Sequence, residues 1–86
     1  MIRILVVDDE KPIANYIKLT LKQAGYWVDC AFDGMTALEK AEQVNYDLIL
    51  LDVMLPEIDG FSLMEYLAPK GVPVIFLTAK GGVQDR

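Results

Sequence analysis

Asp47-Leu48-Ile49-Leu50-Leu51-Asp52-Val53-Met54-Leu55-Pro56 is the stretch whose reading decides the fold. Leu48 to Leu51 form an unbroken aliphatic run with no polar alternation, the pattern of a strand buried on both faces. Pro56 lacks the N–H that a ladder needs and ends pairing soon after. Asp52 therefore falls at the carboxyl end of a central strand, where open α/β sheets gather their ligands. A carboxylate in that position calls for a chemical role, and the one that fits is a nucleophile for phosphoryl transfer.

Working outward, Ile2 to Val7 is a second aliphatic run, rich in β-branched residues, and reads as the first strand. Asp8, Asp9 and Glu10 follow it at once. Pro12 suits the first turn of a helix. Ile13, Tyr16, Ile17, Thr20, Leu21 and Ala24 recur at helical spacing as an apolar face, with Lys11, Asn15, Lys18, Lys22 and Gln23 opposite. Gly25 ends that helix. Trp27 to Phe32 reads as a weaker strand, and its Asp29 suggests a more exposed or an edge position. Asp33-Gly34 reads as a turn. Thr36 to Val44 is helical with Ala37, Leu38 and Ala41 inward, closed by Asn45-Tyr46. After the opening stretch, Pro56 to Gly60 is a loop, and Asp59 or Ser62 caps a short helix carrying Phe61, Met64, Leu67 and Ala68. Pro69 and Gly71 end it, and Val72 to Leu77 is a further strand. Tyr16, Tyr26 and Tyr66 read as packing residues and the methionines as core filler. Strands alternating with helices predict right-handed crossovers and a parallel, doubly wound α/β sheet.

Composition narrows the chemistry. The chain has 86 residues and is 53% hydrophobic, enough for one small domain and too apolar for a disordered segment. Its apolar runs are too short to span a membrane or to serve as a signal peptide. The net charge of −5 disfavours nucleic acid as a partner of this piece and favours a cation. A single cysteine, Cys30, rules out an internal disulfide, agrees with a cytoplasmic setting and reads as a structural thiol. Histidine is absent from the sequence, so imidazole acid–base chemistry and most zinc sites fall away.

Asp8 and Asp9 follow the first strand, Asp52 the third and Thr78 the fourth. With those three strands adjacent, all four groups meet at one end of the sheet. Carboxylates brought that close repel one another unless a cation sits among them. A hard divalent ion such as Mg²⁺ suits such oxygen ligands, and Asp52 can then attack phosphorus in line. Singly, each residue has a plainer reading: Asp8 or Asp9 as a helix cap, Asp52 as a cap for the turn before Pro56, Thr78 as an ordinary strand-end threonine, Lys80 as a solvated loop lysine. The conjunction is what carries weight, because independent caps have no reason to fall at the same end of adjacent strands.

Leu5-Val6-Val7-Asp8-Asp9-Glu10, then Asp52-Val53-Met54-Leu55-Pro56 with Asp59-Gly60-Phe61, then Pro73-Val74-Ile75-Phe76-Leu77-Thr78-Ala79-Lys80 together resemble the receiver domain of two-component response regulators. The resemblance runs the length of the chain and implies a flavodoxin-like receiver fold. It implies that Asp52 is the phosphoacceptor. It further implies that Asp9, Asp52 and the Met54 carbonyl ligate Mg²⁺ while Asp8 acts largely through water. Thr78 and the Ala79 N–H are then expected to contact the phosphoryl group, with Pro56 and Gly60 shaping the adjacent loop. The implied donor is a phosphohistidine on a sensor kinase. The molecule is expected not to be an enzyme in its own right beyond slow loss of its own phosphoryl group. A DNA-binding output domain is the kind of attachment the family carries.

The family pattern also includes a fifth strand, two later helices and a lysine at the end of that strand, none of which lies within residues 1–86; Lys80 comes too early. The expectation is thus a single partial receiver domain over 1–86. Its fourth-strand edge is expected to be open and to be covered by homodimerisation, segment exchange or a partner, and its phosphorylation and output coupling to be impaired. Three other readings stand beside this one. The chain is a receiver fragment with no competent site that serves only in assembly, or an Asp-nucleophile metal-dependent phosphatase, or a flavodoxin-like cofactor binder. The phosphatase class places Asp-x-Asp on its first strand, and phosphate cofactors want a glycine-rich loop where this chain has Asp8-Asp9-Glu10.

Overall fold

The computed structural model describes residues 1–52 and 65–77. Within them the chain runs β1 (Arg3–Val7), α1 (Lys11–Gln23), β2 (Trp27–Ala31), α2 (Gly34–Gln43), β3 (Leu48–Asp52), helical residues 65–67, a 3₁₀ turn (Ala68–Lys70) and β4 (Val74–Leu77). The first part of the expected third helix lies outside the described residues. So do Met54, Pro56, Gly60, Thr78, Ala79 and Lys80.

The strands form one parallel sheet in the order β2-β1-β3-β4. β1 is central and its Ile4 to Val7 are buried on both faces, as an uninterrupted aliphatic run requires. The connection from β1 goes outward to β2, and the next crosses back to β3 on the other side of β1. The strand order therefore reverses between β1 and β3 while the strands stay parallel, which makes this the topological switch point at which α/β sheets bind ligands.

Two apolar layers flank the sheet. On one side Leu5, Val7, Ala31, Ile49 and Leu51 pack with Ala37 and Ala41 of α2, and with Tyr46 and Leu67. On the other, Ile4, Val6 and Val28 pack beneath Ala14, with Ile17 and Leu21 alongside. The hydrophobic periodicity of α1 misplaced its centre. Tyr16 is 72% exposed and Thr20 and Ala24 face solvent, whereas Ala14 is fully buried. A small residue lets the helix backbone approach the twisted sheet, and it contributes little to an apolar pattern. α1 touches β1 and β2, so on its face Leu48 and Leu50 are half-buried and Ile75 is exposed.

The other tyrosines also differ from expectation. Tyr26 and Tyr66 are exposed, and Tyr66 donates to the Glu42 carboxylate. Tyr46, expected only to close a helix, is the buried one. Asp33-Gly34 is a helix start rather than a turn. Asp33 caps α2 by accepting the Thr36 N–H at 2.7 Å. Gly25 follows the last cap residue of α1 with φ of +102°, the left-handed conformation that glycine supplies there.

Candidate phosphoacceptor site

The site is built from strand ends. β1 and β3 run in register, with Val7 opposite Leu51. One step further along each chain, Asp8 comes level with Asp52. The β1 end is held on its other side too, because Asp8 donates its N–H to the Ala31 carbonyl at the end of β2 (3.1 Å). The Asp8 carboxylate then turns back and accepts the Glu10 N–H at 3.0 Å. This local bond bends the chain between β1 and the start of α1, and brings Asp9 beside the strand ends.

As a result Asp8, Asp9 and Asp52 each present a carboxylate oxygen within 4.8 Å of the other two. Asp8 and Asp52 are only 2% exposed, and Asp9 is open to solvent. The three residues foreseen from strand-end placement are therefore brought together. Asp52 also pairs with Leu77 across β3 and β4. Thr78 is next in the chain after Leu77, but Thr78, Ala79 and Met54 lie outside the described residues.

Burying two carboxylates beside each other is costly unless charge is compensated. The donor set is entirely hard oxygen, which suits Mg²⁺ and excludes softer ions that prefer thiolate or imidazole. Two oxygens on one Mg²⁺ lie at most about 4.2 Å apart, twice a ligand distance of about 2.1 Å. The trio, within 4.8 Å, is close to that span. A small inward movement, or one carboxylate acting through water, closes the difference. The residues thus fit a divalent cation.

Sequence reasoning passed over the role of β2 in this site. The Ala31 carbonyl fixes the backbone of Asp8, and only the strand order reveals it. At the opposite end of the same strand Trp27 stacks near Tyr46, with ring centroids 6.3 Å apart, and Arg3 lies over the indole. β2 is five residues long, so Trp27 stands roughly 13 Å from the site end of the sheet.

The comparisons with known proteins agree with this geometry. A family model described as the response regulator receiver domain matches residues 4–86. The chain is 47% identical over 85 residues to the transcriptional activator protein IrlR of Burkholderia pseudomallei, covering 98% of this chain and 37% of IrlR. It is 48% identical over 86 residues to the transcriptional regulatory protein DltR of Streptococcus agalactiae, covering 98% of this chain and 38% of DltR. The chain therefore spans little more than a third of the length of these relatives. Among solved structures, the Francisella response regulator 1452 receiver domain superposes with a TM-score of 0.85 at 38% identity, over 99% of this chain and 72% of that one. TrrA of Thermotoga maritima, solved in complex with Mg²⁺-BeF, gives a TM-score of 0.84 at 35% identity, over 99% and 77%.

Proposed function

The chain belongs to the response regulator receiver family, and we propose that it is a phosphoacceptor module in which Asp52 receives a phosphoryl group from a phosphohistidine of a sensor kinase. The observation that carries the assignment is the convergence of Asp8, Asp9 and Asp52 at the switch point, with Asp52 buried at the end of β3. A carboxylate oxygen of Asp52 attacks phosphorus, the P–N bond to the donor imidazole breaks, and the electron pair returns to the imidazole nitrogen. The product is an acyl phosphate on Asp52.

Asp8, Asp9 and Asp52, with the Met54 carbonyl, are the residues assigned to hold Mg²⁺. When bound, the ion offsets the negative charge of the carboxylates and of the incoming phosphoryl group. Thr78 and the Ala79 N–H are assigned to the phosphoryl oxygens. The Mg²⁺-BeF complex of TrrA supports the metal assignment by similarity. Asp8, its N–H tied to the Ala31 carbonyl and its carboxylate to the Glu10 N–H, helps hold the acidic trio in place before any ligand arrives.

The module transfers nothing onward by itself, and residues 1–86 are assigned to a single, partial receiver domain. Its setting is cytoplasmic, in keeping with a kinase donor, and no helix among the described residues is long and apolar enough to cross a membrane. This acidic piece does not itself bind nucleic acid. Among the described residues β4 forms the other edge of the sheet, its Val74–Leu77 carrying no charge, and that edge is assigned to a second copy, an exchanged segment or a partner.

Incubation with a phosphohistidine-bearing kinase domain and Mg²⁺ tests the assignment. Wild-type chain gains one phosphoryl mass that hydroxylamine removes, and Asp52→Asn gains none. Equal labelling of the Asn variant sinks the assignment.

A further inference from the structure

Among the described residues β2 forms one edge of the sheet. Trp27 donates its N–H to Ile2, and Ala31 accepts from Asp8, so both turn their backbone groups toward β1. Backbone groups alternate sides along a strand, so Asp29 also faces β1, while Val28 and Cys30 face outward. An outward row of amides is a template on which another strand can pair.

In β2 one of these two outward donors, the Cys30 N–H, is already engaged. Asp29 Oδ1 accepts the Cys30 N–H at 3.0 Å. Asp29 Oδ2 is held in turn, accepting from Lys40 Nζ and from the Tyr46 hydroxyl, each at 3.2 Å. Burial first, then the charge of Asp29 and its hydrogen bond, keep that hydroxyl protonated well above the ordinary tyrosine range. Both carboxylate oxygens are therefore fixed, one by the strand itself and one by groups on and just after α2. The Asp29 and Lys40 side chains are 30% and 33% exposed, so each charge keeps part of its water. A strand laid along β2 has to break the bond to Cys30 and strip that water from an ion pair, which is strongly opposed.

We propose that Asp29 is a cap on the free edge of β2, occupying the Cys30 N–H and, anchored by Lys40 and Tyr46, preventing that edge from accepting a strand of another copy of this chain. The cap is independent of the phosphoacceptor assignment, since none of its residues belongs to the acidic trio.

The test compares wild type with Asp29→Val by sedimentation velocity over a concentration series and by residue-resolved amide exchange. Valine keeps a strand-compatible shape but neither caps nor pairs. The variant is expected to self-associate with an apparent Kd lower by about tenfold or more. Its Val28 and Cys30 amides become protected as concentration rises. A folded variant that sediments like wild type, or one that associates with protection only outside β2, overturns the proposal. Wild type supplies a second readout should the variant not fold. Its Cys30 amide is expected to exchange about tenfold or more slowly than in an unstructured chain. Exchange at the unstructured rate overturns the cap as well.

Discussion

Replacing Asp52 by asparagine is expected to make the metal-free protein more stable while abolishing its function. Three carboxylates lie within 4.8 Å of one another, and two of them are nearly fully buried. At that separation a pair of unit charges repels by about 3.5 kcal/mol with an effective dielectric of 20. Asp9 is solvated, so its share is screened; the buried Asp8–Asp52 pair dominates. Relaxation of the side chains removes part of the rest, leaving an expected net gain of about 1–3 kcal/mol for the Asn variant. For a domain of this size that is a rise in Tm of roughly 4–8 °C per kcal/mol. Urea unfolding in EDTA at pH 7, followed through Trp27, measures it. Trp27 sits at the far end of β2 and reports unfolding without being perturbed by the site. Addition of Mg²⁺ reverses the order. Wild type gains about 2.7 kcal/mol at a hundred times its Kd, and the variant gains far less. An Asn variant less stable than wild type in EDTA, or equally stabilised by Mg²⁺, refutes the charge repulsion inferred from the cluster.

Other consequences follow from packing, capping and titration. Leu51→Ala, at a fully buried position in the layer shared with Ala37 and Ala41, is expected to cost about 2–5 kcal/mol in chemical denaturation. Asp33→Ala removes the acceptor for the Thr36 N–H and should lower stability by about 1 kcal/mol, whereas Asp33→Ser restores most of it. Tyr46 has its proton affinity raised in the folded state by burial, then by Asp29. The folded protein thus holds a proton that the unfolded chain releases above the ordinary value of 10.0. Stability from this group is complete below that pH and declines above it. An alkaline melting series should show the decline in wild type and a smaller one in Tyr46→Phe.

What the sequence made legible follows from which interactions are local. Leu48 to Leu51 and Ile4 to Val7 announce central strands because burial on both faces leaves no polar positions. The placement of Asp8, Asp9 and Asp52 then follows from strand ends and strand order, and the sheet brings them together as expected. α1 was harder to orient. Ile13, Tyr16, Ile17 and Thr20 make a plausible stripe, yet the sheet is approached through Ala14, whose small size matters more than its hydrophobicity. Tyr46 escaped because its hydroxyl is satisfied by Asp29, a residue 17 positions away, and no local pattern encodes such a pair. Asp33-Gly34 misled because aspartate before glycine serves both turns and helix caps, and only the Thr36 N–H decides between them. Asp29 was legible as an edge residue, but the engagement of its two oxygens depends on Lys40 and Tyr46 arriving from the neighbouring layer.

Chemical trapping of the acyl phosphate addresses the phosphoacceptor assignment most directly. Wild-type chain is phosphorylated from a phosphohistidine donor in Mg²⁺ or in EDTA, reduced with borohydride, and sequenced by mass spectrometry. Reduction converts a phosphorylated aspartate to homoserine at its own position. Homoserine at position 52 alone, in Mg²⁺ and not in EDTA, is the predicted result. Homoserine at position 8 or 9, or the same yield at position 52 without metal, contradicts it.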